Sequence, residues 1–383
     1  MRGSIRQRGK NSWRIQLYTG KGPDGKLKRH LETIRGRKGD AQRRLTDLLS
    51  SLDKGVYTPP GRLTVADLLN QWLNSVRMNL SPKTQDGYTM IVNRHLVPDL
   101  GHIQLKQLQP SMIESYYSHA REKPLSGRTV HKHHRLLKQA LRYAIRQGYL
   151  GMNPCDLVGT PKWKAKQMRT LTPEEVEILL ENAASSRYYP IIYTAVSTGL
   201  RQAELLGLRW RAINLDLKSI SVCQVLQKRH GICEYKEPKT EHSKRCVGMT
   251  DKLVDYLSEY KGERESLSLH LGRLLKADDL VFSNAEGEPI DPYSLSHAFA
   301  KIAKRAGLRG VHFHSLRHSF ASLMLLRGAK PKVISEALGH ASVAFTLDTY
   351  SHIIEGMQSE AMALLDGVLP PGKRNVTDDT TPI

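Results

Sequence analysis

The chain has 383 residues and a formal net charge of +21, from 58 Lys and Arg against 37 Asp and Glu. A charge of that size repels itself, so it points to an extended anionic partner, and nucleic acid fits best. No apolar run approaches the roughly 20 residues of a membrane span, and the first ten residues are polar and basic, unlike a secretory leader, so a cytosolic protein working away from membranes is expected.

The length suggests two or three domains. Residues 1 to 55 carry 15 Lys and Arg against 5 Asp and Glu, so the charge is concentrated at the front. There Trp13, Ile15 and Leu17 alternate with Arg14, Gln16 and Tyr18, and Leu27 to Thr33 repeats the alternation beyond a Gly-Pro-Asp-Gly turn. This predicts a small basic sheet. Gly20 to Gly25 matches G-x-G-x-x-G, but it joins two strands and opens no helix, so it is turn chemistry and not a nucleotide site. A helix over about residues 40 to 54 places Ala41, Leu45, Leu48 and Leu52 on one face to cover the sheet.

Thr58-Pro59-Pro60-Gly61 breaks the pattern and marks a linker. Four helices are predicted beyond it, over residues 64 to 76, 82 to 96, 111 to 121 and 127 to 146, with Ser81-Pro82 as an N-cap and first-position pair. The last carries Arg128, His131, Lys132, His133, His134, Arg135, Lys138, Arg142 and Arg146, a basic face suited to a duplex, interleaved with Leu136, Leu137 and Leu141. A Pro-, Gly- and Lys-rich stretch, Gly151 to Thr170, is a second linker. Thr172-Pro173-Glu174-Glu175 then sets a capping box that opens the next domain with a helix. Ser219 to Val247 predicts one small antiparallel sheet, Leu253 to Tyr260 a short helix, Val281-Phe282 a strand, and Tyr293 to Ala306 another helix.

Cys155, Cys223, Cys233 and Cys246 have no C-x-x-C pairing, and His314 and His318, one turn apart, lack the Glu that zinc hydrolysis needs after the first His. Neither a metal nor another cofactor is expected. Chemistry concentrates instead between Val311 and His352. A helix over about Ser315 to Arg327 would put His314 at its mouth and Arg317 one turn in, a socket for a phosphate or carboxylate. Arg201 follows the turn residue Gly199 and precedes Glu204 by three residues, close enough for the carboxylate to hold the guanidinium.

Gly199-Leu200-Arg201-Gln202-Ala203-Glu204, His314-Ser315-Leu316-Arg317-His318, and Leu338-Gly339-His340 through Thr349-Tyr350 together resemble the signature boxes of the tyrosine recombinases of phage-integrase type, in that family's order. The resemblance implies an α+β multidomain fold. An arm-type DNA-binding domain over 1–57 would hold a three-stranded sheet and one helix, and a core-binding helical bundle would span 62–153. A mainly α catalytic domain with a small antiparallel sheet would span 170–366, ahead of a flexible tail, 367–383. It further implies Arg201 and Arg317 on the scissile phosphate, Tyr350 as nucleophile, His314 and His340 beside them, and Lys239 as proton donor to the leaving oxygen, with Glu204 orienting Arg201. Arg14, Arg128, Lys132 and Arg135 are candidate DNA contacts. The implied partners are double-stranded DNA at core and arm sites, three further copies in a homotetramer, and accessory excision and DNA-bending proteins. The spacing from His340 to Tyr350 is one residue longer than in many members. A type IB topoisomerase would share the chemistry and a DNA-binding regulator the basic domains, but two DNA-binding modules before the catalytic boxes favour an integrase.

Overall fold

The computed structural model describes residues 3–21, 27–53, 63–123, 125–164, 169–238, 244–340 and 342–350. The chain divides into two compact units, 1–165 and 166–383.

The first unit opens with strands β1 (Gly3–Gly9), β2 (Ser12–Lys21) and β3 (Leu27–Arg35), an antiparallel sheet in that order. Helix α1 (Lys38–Asp53) covers one face, where Ile15 and Leu17 of β2 pack with Ala41, Leu45 and Leu48. Period-two alternation turns Arg14 to the opposite face, where it lies across from Arg6 of β1 and Thr33 of β3. Like charges directly opposed across a sheet destabilise it unless an anion lies between them. The Gly-Pro-Asp-Gly turn falls outside the described residues.

A helical bundle follows. Thr64 caps α2 (Val65–Val76) in a reciprocal box with Asp67. Next come α3 (Pro82–Ile91), a π-helical turn (Val92–Leu96), α4 (Val97–Leu100), α5 (Pro110–Glu122) and α6 (Gly127–Arg146). Leu68, Leu69, Trp72, Val92, Leu96, Ile113, Leu137 and Leu141 form its core. His133 and His134, expected on the basic face of α6, belong to that core instead. Their Nδ1 atoms share hydrogen bonds with the Tyr116 and Tyr117 hydroxyls of α5 at 2.8 and 2.7 Å. The helical period explains it, because 133 and 134 stand one turn before Leu137 on the buried stripe. The exposed stripe is Arg128, Lys132, Arg135, Arg142 and Arg146, with Gln139 between them, at three- and four-residue steps.

The second unit begins with α7 (Pro173–Ala183), whose Thr172–Glu175 capping box is formed as expected, then α8 (Tyr189–Thr198) and the short α9 (Gln202–Leu206). Two sheets stand where one was predicted. Strands β4 (Ile213–Asn214), β5 (Ser219–Val222) and β8 (Arg245–Gly248) form one in the order β4-β5-β8, and β6 (Val225–Arg229) and β7 (Ile232–Lys236) form a separate hairpin. Helix α10 runs from Asp251 to His270, well past Tyr260, because its second half carries no apolar period and is held instead by the buried Arg264, which donates to Ser283 Oγ and Asn284 O. Val281 and Phe282 are buried in the core but form no strand, and pairing there is two isolated bridges, Leu280 with Arg209 and Ser283 with Pro289. Helices α11 (Pro292–Arg305), α12 (Phe313–Leu326) and α13 (Pro331–Leu338) complete the unit, followed by helical residues 343–350. Helix α12 starts two residues earlier than expected, with the His312 amide donating to Ser315 Oγ at 3.2 Å at its first turn.

Candidate active site

The site is built on two helix ends. Helix α8 closes on Gly199 at φ 66°, ψ 15°, and α13 closes on Gly339 at φ 63°, ψ 49°. At α13, the Gly339 and His340 amides return to the carbonyls of Glu336 and Ser335, both at 3.0 Å. This double closure leaves the carbonyls of residues 337, 338 and 339 without helical partners. Three arginines donate to them in turn. Arg245 Nε donates to Ala337 O at 2.6 Å, Arg317 Nη2 to Leu338 O at 2.5 Å, and Arg201 Nη2 to Gly339 O at 3.3 Å. The negative end of a helix favours such cations.

Arg317, on α12, also donates from Nη1 to Gly199 O at 2.9 Å, so both helix ends grip one guanidinium. It is only 3% exposed, and burial, reinforced by Arg201, presses its pKa down to about 9. Arg201 is the more accessible of the two and donates from Nη1 to Glu204 Oε1 at 2.8 Å, while its backbone amide donates to Oε2 at 2.8 Å. Burial alone would raise the Glu204 carboxyl, but hydrogen bonds and charge from Arg245 and Arg201 outweigh it and keep the pKa below the usual value.

Three imidazoles stand beside the guanidiniums. The rings of His314 and His318 meet edge to face at 4.9 Å. Burial first, then Arg317 and Arg201, lower the His314 pKa, and the same effects press His340 down to about 4. His340 Nδ1 shares a 2.8 Å hydrogen bond with Thr346 Oγ1, which leaves Nε2 for another partner. Tyr350 is buried among Ala321, Leu325, Ile334 and Leu338, and burial pushes its phenol up to about 12 against the pull of Arg317. Its hydroxyl shares a 2.8 Å hydrogen bond with His318 Nδ1. The resemblance to the tyrosine recombinases places His314 and His340 beside the phenol. The contact falls to His318, because a residue four beyond His314 lies on the stripe of α12 that faces Tyr350.

The structure thus gathers Arg201, Glu204, His314, Arg317, His340 and Tyr350 around the end of α13. Lys239 lies outside the described residues. Arg14 sits on β2, and Arg128, Lys132 and Arg135 on α6, all in the first unit. Two residues were missed, Arg245 and His318. A signal for Arg245 existed, since a buried Glu204 needs more than one cation, but nothing local said which of many basic residues supplies it.

The sequence pattern of the phage integrase family matches residues 169–356, and that of the phage integrase N-terminal SAM-like domain matches residues 64–120. The chain belongs to the phage integrase family. This family member is 29% identical over 378 residues to a XerC-like tyrosine recombinase of Caldanaerobacter subterraneus subsp. tengcongensis, covering 94% of this chain and 96% of that one. It is 28% identical over 304 residues to the ICEBs1 integrase of Bacillus subtilis, covering 79% of this chain and 82% of that one. Its fold is similar to that of the Tn1549 transposon integrase in complex with a circular intermediate DNA, with a TM-score of 0.68 at 22% identity over 79% of this chain and all of that chain. A lambda integrase dimer bound to a core site gives 0.58 at 17% identity, covering 90% of this chain and 93% of that one.

Proposed function

We propose that this integrase-family chain is a site-specific tyrosine recombinase that cuts and rejoins the DNA of a phage or other mobile element through a transient 3′-phosphotyrosine. The names of its relatives, tyrosine recombinases and integrases of mobile elements, support the reading. The observation that carries it is Arg317. Two carbonyls hold this buried guanidinium, and no carboxylate among the described residues pairs with it. Carbonyl dipoles orient a cation without neutralising it, so the site calls for an anion. With Glu204 set against Arg201, Arg245 and Arg317, the cluster keeps a surplus of positive charge. That matches the charge that builds on phosphorus when a phosphodiester is attacked.

In the proposed step a neutral imidazole, His314 or His340, takes the phenol proton as Tyr350 Oη bonds to phosphorus, the bond from phosphorus to the 5′ oxygen breaks, and that oxygen takes a proton from Lys239. The phosphotyrosine conserves the bond energy, so a 5′ hydroxyl can later reverse the reaction with no nucleotide or metal. In the structure the buried phenol shares a hydrogen bond with the His318 imidazole, and burial pushes the phenol up to about 12 and presses the imidazole down to about 4. A bound phosphate beside the imidazoles would raise their affinity for the proton, while the arginine field would favour the phenolate. Arg14 on the sheet and Arg128, Lys132 and Arg135 on α6 would grip the backbone, with four copies acting on two duplexes in the cytosol, helped by accessory excision and bending proteins.

To test the reading, the full chain is incubated with DNA flanking its own coding sequence, and covalently trapped ends are mapped. A duplex built on the mapped site, nicked so that the cleaved end diffuses away, traps the adduct on a denaturing gel. Wild type should give a shifted band whose digestion places DNA on the Tyr350 peptide, and Tyr350→Phe should give none while still binding the duplex. A full adduct from Tyr350→Phe refutes the assignment.

A further inference from the structure

We infer that Arg245 is a positioning residue for strand cleavage, whose task is to occupy Glu204 so that the charge of Arg201 is left for the phosphate; the inference rests on the reading above. Arg245 opens β8, far in sequence from α9 and α13, and its side chain is only 7% exposed. Its two Nη atoms donate to Glu204, Nη1 to Oε1 at 3.0 Å and Nη2 to Oε2 at 2.9 Å, while Nε donates to Ala337 O at 2.6 Å. One planar guanidinium therefore touches both objects that aim Arg201, its carboxylate and the run of carbonyls ending at Gly339 O.

The geometry separates the roles of the two arginines. Glu204 Oε1 accepts from both Arg201 Nη1 and Arg245 Nη1, and Oε2 accepts from the Arg201 amide and Arg245 Nη2. A carboxylate that is 3% exposed needs a full counter-ion. Arg245 supplies it through a two-pronged, buried contact, the stronger geometry. Arg201 makes a single-pronged contact with a side chain still 37% exposed, so it can reach a phosphate oxygen while Glu204 steadies it. Without Arg245, Glu204 would take Arg201 as its sole counter-ion, drawing the guanidinium inward and cancelling the charge the transition state needs. Lysine is a poor substitute, because one ammonium cannot fork onto both carboxylate oxygens and also reach Ala337 O.

The test uses the nicked duplex in single-turnover reactions at saturating DNA. A second version has a methyl group in place of one non-bridging oxygen of the scissile phosphate, which removes part of the charge that Arg201 meets. Arg245→Met should lower the cleavage rate about 10- to 100-fold, as loss of an orienting partner does, with DNA affinity within about twofold of wild type. On the methylated duplex the gap between variant and wild type should shrink severalfold. Arg245→Met/Glu204→Gln, which removes the carboxylate that competes for Arg201, should recover part of the rate on the normal duplex. Wild-type cleavage by Arg245→Met, or equal losses on both duplexes, overturns the inference. If Arg245→Met alone unfolds, the double variant decides against Glu204→Gln: equal cleavage of the normal duplex by the two supports the role, and a further loss of about tenfold or more in the double variant removes it. Failure of wild type to form any adduct would instead sink the recombinase reading itself.

Discussion

Replacing Gly199 by Ala should damage the site through the backbone and through packing together. Gly199 sits at φ +66°, where a side chain costs about 1–2 kcal/mol. A Cβ there would lie 2.5 Å from Phe320 Cδ1 and 2.8 Å from Leu338 Cδ2, on α12 and α13. Relieving such overlap typically costs about 1–3 kcal/mol more, so the total is about 2–5 kcal/mol. For a unit of this size, thermal unfolding should shift down by roughly 5–15 °C. Gly307→Ala is the control, since Gly307 also has positive φ (+73°) but nothing within 4 Å of a built Cβ, so only the backbone cost applies. Cleavage should fall at least about tenfold for Gly199→Ala even below its unfolding range, because Gly199 O and Leu338 O are the two acceptors that aim Arg317. Calorimetry of the full chain with single-turnover cleavage at low temperature reads both effects. Equal midpoints for the two variants, or unchanged cleavage by Gly199→Ala, would refute the claim that packing behind Gly199 sets Arg317.

Three further outcomes are expected. His133 is fully buried against Tyr116, and burial, aided by His95, presses its pKa to about 4. The folded bundle therefore holds the neutral ring while the unfolded chain protonates near the ordinary 6.5, so this stability is complete above pH 6.5 and is lost as pH falls toward 4. Denaturant unfolding at pH 7 and pH 5 should differ by about 1–2 kcal/mol less in His133→Phe/Tyr116→Phe than in wild type, and an unchanged difference would count against it. A double-mutant cycle of His318→Phe and Tyr350→Phe should return a coupling of about 1 kcal/mol for their hydrogen bond, whereas zero coupling would mean that the two groups do not meet in solution. Finally, Arg14→Ala and Arg135→Ala in the full chain should each reduce the slope of log affinity for duplex DNA against log salt by about one, and an unaltered slope removes that residue from the DNA contact.

Much of the molecule is written in local sequence. The capping boxes at Thr64 and Thr172 act over three residues, and the prolines at the starts of α3 and α7 act through their own ring, so those helices begin where residue chemistry alone places them. Alternation around Ile15 and Leu17 likewise specifies a sheet with Arg14 on its open face. The chemical identities at the site, two arginines, two of its three imidazoles and a tyrosine, could be read from the three boxes. Tertiary structure decided their partners. His133 and His134 look like part of a basic stripe until the tyrosines of α5 arrive above them. The second half of α10 has no apolar period because it is retained by polar groups such as Arg264, which reaches Ser283 and Asn284. His318 meets Tyr350 across 32 positions, and Arg245 meets Glu204 across 41. The acceptors that converge the three arginines are backbone carbonyls of residues 337 to 339. Every residue carries such a carbonyl, so no side-chain pattern marks those three; only the closure of α13 on Gly339 leaves them without helical partners, and only the packing of α9, α12 and β8 around that end brings the guanidiniums to them.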